Sequence, residues 1–91
     1  MESLERINLL EVMLKECIDI IIKSVGENPY QDLEKALKII QDKNVKQYAS
    51  LKDKIGNTII AIYNTRFINM EIVLYKLDES YRLVEKLSCS A

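Results

Sequence analysis

The sequence predicts an all-α fold, an antiparallel four-helix bundle, and three observations carry that reading. Apolar residues recur at steps of three and four in four separate segments, the signature of amphipathic helices. The chain holds only two glycines and one proline in 91 residues, too few for the turns of a multi-stranded β protein. The segments are joined by short polar connections, which favour antiparallel neighbours. A chain this short builds one core, so residues 1–91 form a single helical-bundle domain. A three-helix variant, with the second and third helices fused, is the alternative.

The first helix is expected from about Ser3 to Val25, with Leu4, Ile7, Leu10, Leu14, Cys17, Ile18, Ile21 and Val25 on one face and Gly26 as its stop. Asn28-Pro29-Tyr30-Gln31 reads as a fresh start. Asn28 is the expected cap, Pro29 suits the first helical position because it lacks an N–H, and Gln31 completes a capping box. Leu33, Ala36, Leu37 and Ile40 carry the second helix. The polar run from Gln41 to Gln47 is a loop or an exposed turn.

The third helix is expected from about Ser50, where Ser50 and Asp53 have capping-box spacing, through Leu51, Ile55, Ile59, Ile62 and Tyr63. Gly56 within it costs about 1 kcal/mol against alanine and marks a kink or a close helix crossing. After a break at residues 64–69, the last helix begins near Asn69. Met70, Leu74, Leu77, Tyr81 and Val84 recur along it at alternating steps of four and three.

Composition narrows the function classes. With 48% apolar and 30% charged residues the chain is globular, and its net charge of −1 provides no overall field toward nucleic acid or an anionic membrane. Ile20-Ile21-Ile22, flanked by Asp19 and Lys23, falls far short of the roughly 20 apolar residues that span a bilayer. The opening Met1-Glu2-Ser3-Leu4-Glu5-Arg6 lacks the basic lead and apolar run of a signal peptide, so the expected location is cytoplasmic. Thirteen isoleucines beside abundant lysine and asparagine fit the codon bias of an AT-rich genome.

The chemistry-bearing residues point away from an enzyme. The chain has no histidine, which removes the commonest general base near neutral pH, every Ser-His or Cys-His pair and the commonest metal ligand. Cys17 and Cys89 form no CxxC pair, and the reducing default favours two free thiols over a disulfide. Gly26 and Gly56 alone cannot write a phosphate-binding glycine loop. The expectation is no catalytic residue, no metal and no cofactor. Glu11 with Lys15 and Asp78 with Arg82 have the spacing of exposed ion pairs.

Lysines 35, 38, 43, 46, 52 and 54 outnumber Glu34, Asp42 and Asp53 between residues 34 and 54. A solvated face is preferred to an anion footprint there, because acids are interspersed and only Tyr48 offers a stacking ring. The positive signal is surplus hydrophobicity. The first helix carries Leu9, Val12, Met13, Ile20 and Ile22 beyond its main stripe, and the third carries Ile60 and Ala61. A helix apolar around most of its circumference is central or covered by another chain. The candidate partner-binding residues are Leu9, Val12, Met13, Ile20 and Ile60 from this surplus, with Tyr63 and Tyr75 among five tyrosines of the kind enriched at interfaces, and Phe67.

Through Asn28-Pro29-Tyr30-Gln31, with Leu33, Leu37 and Ile40 behind it, and through its size and helix count, the chain resembles the immunity proteins of pediocin-like (enterocin A type) bacteriocins from lactic-acid bacteria. The resemblance implies a cytosolic four-helix bundle that acts at a bacteriocin-bound sugar-transporter complex in the membrane. It also implies that specificity resides in Asn64 to Leu87. The partner expected is another protein or a second copy of the chain. The alternatives are a secretion chaperone, effector or phage-type inhibitor docking on a partner's helices, and a weak nucleic-acid-binding bundle using the lysines.

Overall fold

A computed structural model of the protein describes residues 3–89 and the side chains of residues 4–86. Four α-helices follow one another: α1 (Ser3–Val25), α2 (Gln31–Gln41), α3 (Tyr48–Thr65) and α4 (Met70–Cys89), with a 3₁₀ turn at Val45–Gln47 before α3. No strand occurs among the described residues. The second and third helices are separate, which disposes of the three-helix variant.

Three helix ends close in the same way, by an N–H reaching back while the residue carrying the turn goes left-handed. α1 stops at Gly26, where φ is 99° and the N–H donates to the Ile22 carbonyl at 2.8 Å. α2 stops at Lys43 (φ 54°), with the N–H of Asn44 donating to the Ile39 carbonyl at 3.1 Å. α3 stops at Arg66 (φ 51°), whose N–H donates to the Ile62 carbonyl at 2.9 Å. Only the first of these uses glycine, the residue such a turn suits best.

The two expected N-terminal caps are corrected by the structure. α2 begins at Gln31 after Tyr30, so Asn28 and Pro29 precede the helix. Asn28 instead folds over the connection, its Oδ1 accepting from the Tyr30 N–H at 3.1 Å and its Nδ2 donating to the Tyr30 carbonyl at 3.4 Å. This is the local turn that short amide side chains offer in competition with a helix cap. α3 begins two residues earlier than Ser50, because the 3₁₀ turn feeds it directly. The Ser50 hydroxyl donates to the Gln47 carbonyl at 2.7 Å and caps no N–H.

Each helix packs on its neighbours in the chain, and α4 closes the ring against α1, so α1 and α3 lie diagonally across the bundle. The bundle measures 36 × 20 × 18 Å, and the 23-residue α1, about 35 Å long at 1.5 Å per residue, spans its long axis. Cross-helix contacts fix the antiparallel register. Glu16 meets Lys76 between α1 and α4, Asp32 meets Asn57 between α2 and α3, and Lys52 meets Glu85 between α3 and α4.

The core repeats one spacing. Leu10, Leu14, Cys17 and Ile21 on α1, Leu51, Ile55, Thr58 and Ile62 on α3, and Val73, Leu77, Ser80 and Val84 on α4 are all buried at steps of four, three and four. Leu33, Ala36, Ile39 and Ile40 complete it from α2. Thr58 and Ser80 sit in this core without penalty, since each hydroxyl donates to the carbonyl four residues before it, at 2.8 Å. The α4 stripe is thereby corrected by one position: Val73 and Ser80 face the centre, while Met70, Leu74 and Tyr81 are half-buried at its edge. On α3 the same shift places Thr58 inside and leaves Ile59 half-buried and Tyr63 exposed. Leu37 of α2 is likewise half-buried, and Ile39 takes the inward position.

Gly56 is not forced by a close crossing. A methyl group added there would meet Tyr81 Cε2 at 3.8 Å, an ordinary contact.

Candidate partner-binding surface

The eight candidate partner-binding residues are spread over α1, α3, the α3–α4 connection and α4 rather than gathered in one place. Leu9, Met13 and Ile20 lie on the edge of α1 that borders α4, at helical spacing along one line. Met13 and Ile20 are half-buried, and Ile20 packs against the core. Val12 lies on the outer surface of α1, exposed between the Glu11–Lys15 pair at 3.0 Å and the Asp19–Lys23 pair at 3.0 Å. Ile60 and Tyr63 are exposed on α3, diagonally opposite α1. No single surface unites the α1 and α3 sets.

Phe67 is engaged within the fold. It packs against the core with its ring 6.4 Å from that of Tyr30, whose hydroxyl is 2.6 Å from the Thr65 hydroxyl. These contacts tie the start of α2 to the end of α3. Tyr81 is a core-edge residue, with the Lys52 ammonium 5.5 Å from its ring centre, while Tyr75 is 70% exposed. The spacing of Asp78 and Arg82 does produce an ion pair, at 3.3 Å.

The residues that do converge lie where α1 ends and α4 begins. Ile20, Lys23 and Ser24 of α1 face Ile68, Asn69 and Ile72 across an open cleft of about 370 Å³. Ile68 is 78% exposed and Ile72 50%, and Tyr75 follows one turn beyond Ile72 on α4. Ile68 stands outward because the α3–α4 connection crosses two left-handed residues, Arg66 at φ 51° and Asn69 at φ 71°. Asparagine tolerates that conformation, whereas arginine at φ 51° and ψ 139° is strained by about 1–3 kcal/mol. Ile68 and Ile72 were not singled out in the sequence, because they sit in a stretch read as the break before α4 and the outer side of its first turn.

The cleft closes along the seam at an ion pair, Lys76 Nζ to Glu16 Oε2 at 2.7 Å. Glu16, as hydrogen-bond acceptor, holds the Lys76 ammonium above its ordinary pKa. Beneath it lies Cys17, fully buried, its thiol 3.9 Å from the Val73 carbonyl. Burial pushes this thiol up to about 12, which leaves it a packing residue rather than a nucleophile. The Cys89 side chain lies outside the described residues. No group of three or more His, Cys, Asp or Glu able to hold a metal ion occurs among the described residues, and no helix is long and apolar enough to cross a membrane.

The fold thus defines an antiparallel four-helix bundle with an apolar cleft at one end. No protein-family model matches the chain, and no curated protein or solved structure matches it either.

Proposed function

We propose that this chain is a non-enzymatic protein-binding bundle whose contact surface is the α1–α4 end, centred on Ile20, Ile68 and Ile72. The observation that carries the reading is the exposure of Ile68, on a connection with a strained backbone, and of Ile72, in the first turn of α4, beside one cleft. An isoleucine left in water forgoes about 1.5–3 kcal/mol of burial, which a covering partner recovers. Lys23, Ser24 and Asn69 supply a polar rim around the apolar centre, the usual anatomy of a recognition patch. An amphipathic helix from another protein fits this groove by its shape and polarity. The lack of histidine in the sequence supports a role without catalysis.

The test is a pull-down from the native host with the intact chain and with an Ile68→Glu/Ile72→Glu variant. A stoichiometric partner retained by the first and lost by the second is expected. Equal recovery with both would refute the assignment of this surface.

The finer form of the reading is a cytosolic bacteriocin immunity protein acting at a membrane-protein complex. It is favoured by the position of Ile68, Ile72 and Tyr75 within residues 64–87, where the family resemblance places specificity. Expression in a sensitive strain should protect against related bacteriocins, and the double glutamate variant should not. Unchanged killing with the intact chain removes the immunity role and leaves the broader binding role to the pull-down.

A further inference from the structure

At the opposite end of the bundle, where α2 finishes and α3 begins, the lysine-rich middle of the chain closes around a second cleft. Lys35 and Lys38 of α2 face Lys54 of α3 across a space of about 320 Å³, with Asn44 and Gln47 on its rim. That volume lies at the lower end of the roughly 300–1,000 Å³ of small-ligand sites. The geometry points to this cleft as a site for a compact ligand bearing two or more phosphate groups.

Charge distribution carries the argument. Between residues 34 and 54 six lysines face three acids, a local charge of +3, while the rest of the chain, with seven cations and eleven acids, holds −4. Outside this stretch Lys15 pairs with Glu11, Lys23 with Asp19, Lys76 with Glu16 and Arg82 with Asp78, and within it Lys52 pairs with Glu85. Lys35, Lys38 and Lys54 make no such pair among the described residues, although Lys54 is half-buried. Three lysine side chains line one space, and an anion seated between them offsets the repulsion among their like charges. Asp42 is the one acid on the wall, so the cleft itself keeps two positive charges in excess.

The helix arrangement adds to this field. α3 is 18 residues long and points its positive end into the same region, and no side chain caps it at Gln47. The Asn44 and Gln47 amides complete the polar lining with neutral donors. Two phosphate groups, carrying several negative charges, neutralise the lysines of both helices at once, which a single carboxylate on one side does not. This site is independent of the protein-binding surface, which lies at the other end of the bundle.

The test titrates sodium pyrophosphate into the full chain at low salt while amide resonances are followed by NMR. A parallel titration uses phosphatidylcholine vesicles containing a phosphatidylinositol bisphosphate, whose headgroup carries more than one phosphate. Saturable shifts at Lys35, Lys38, Asn44, Gln47 and Lys54 are expected, weakened at least about tenfold by Lys38→Gln/Lys54→Gln and unaffected by Lys15→Gln. Saturation by pyrophosphate alone assigns a soluble phosphate ligand, and saturation by both probes assigns a phosphate headgroup. Shifts that never saturate, that move Lys15 equally, or that persist in the double variant overturn the site. Circular dichroism melts of the variants, with Lys38 exposed and Lys54 half-buried, separate loss of binding from loss of fold.

Discussion

Lys76 of α4 places its ammonium 2.7 Å from the Glu16 carboxylate of α1, one residue before the buried thiol of Cys17 that touches the Val73 carbonyl. Together these contacts pin the register in which α4 closes the bundle. Both charged side chains remain partly in water, with 27% and 48% of their surface accessible, so their attraction is screened. A double-mutant cycle with Glu16→Gln and Lys76→Met should give a coupling of about 0.5–1 kcal/mol, shrinking as salt is raised. A coupling well above that range, insensitive to salt, would mean the pair is buried in solution.

The titrating groups predict a lopsided pH profile. Burial raises the thiol of Cys17 and the hydroxyl of Tyr48, and the Glu16 hydrogen bond raises the Lys76 ammonium. In each case the folded chain keeps its proton to higher pH than the unfolded chain does. Their contribution is complete below each group's ordinary value, which for the thiol is 9.0, and is lost as pH climbs toward the folded value of about 12. Glu11 is shifted the other way, lowered first by its hydrogen bond from Lys15. Its contribution is present above the ordinary carboxyl value and lost as pH falls through the folded one. With no histidine, Tm should be flat between about pH 6 and 8 and fall above about 9. Cys17→Ala should flatten that alkaline decline, as thermal melts across the range will show.

Two backbone positions separate propensity from packing. Gly56→Ala adds a methyl group where there is room, 3.8 Å from Tyr81, and should stabilise α3 by about 0.5–1 kcal/mol. Arg66→Gly relieves a left-handed arginine and should raise stability by up to about 1 kcal/mol, less than the strain because glycine loses more entropy on folding. Denaturant melts decide both. A destabilised Gly56→Ala would mean that α3 and α4 approach more closely than the structure has them.

Most of the fold was legible in the sequence because periodicity reports which face of a helix is apolar. The α1 boundaries and Gly26 as its stop follow from that pattern and from turn chemistry, and so does a break before α4, although α3 runs on through Thr65 and narrows it to residues 66–69. What periodicity missed was polar residues able to satisfy themselves. Thr58 and Ser80 bond their own helices and enter the core, displacing Ile59 and Tyr81 to the edge. Left-handed turns at Lys43 and Arg66 were invisible, since neither residue advertises one. The candidate surface was half legible. Ile20 was found by excess hydrophobicity and Tyr75 only as a candidate, but Ile68 depends on how the connection aims it and Ile72 on the first turn of α4 beside it, which no local pattern encodes.

Oligomeric state follows from the dispersal of the exposed apolar residues. A stable homodimer covers about 800 Å² per partner with one continuous face. Here Val12, Ile60 and Val45 lie apart from the Ile68–Ile72 cleft, on different helices and connections. Light scattering should therefore give the monomer mass of 10.6 kDa at micromolar concentration. A stable dimer would show that a second copy occupies the surface assigned to another protein.

Photo-crosslinking in the native cell reports whether the α1–α4 end contacts another protein. A photoreactive residue is placed in turn at position 68, at position 72 and at position 45, where Val45 is 71% exposed but lies outside the cleft. One shared crosslinked protein is expected from positions 68 and 72 and none from position 45. Silence at 68 and 72, or the same product from all three, would contradict that contact.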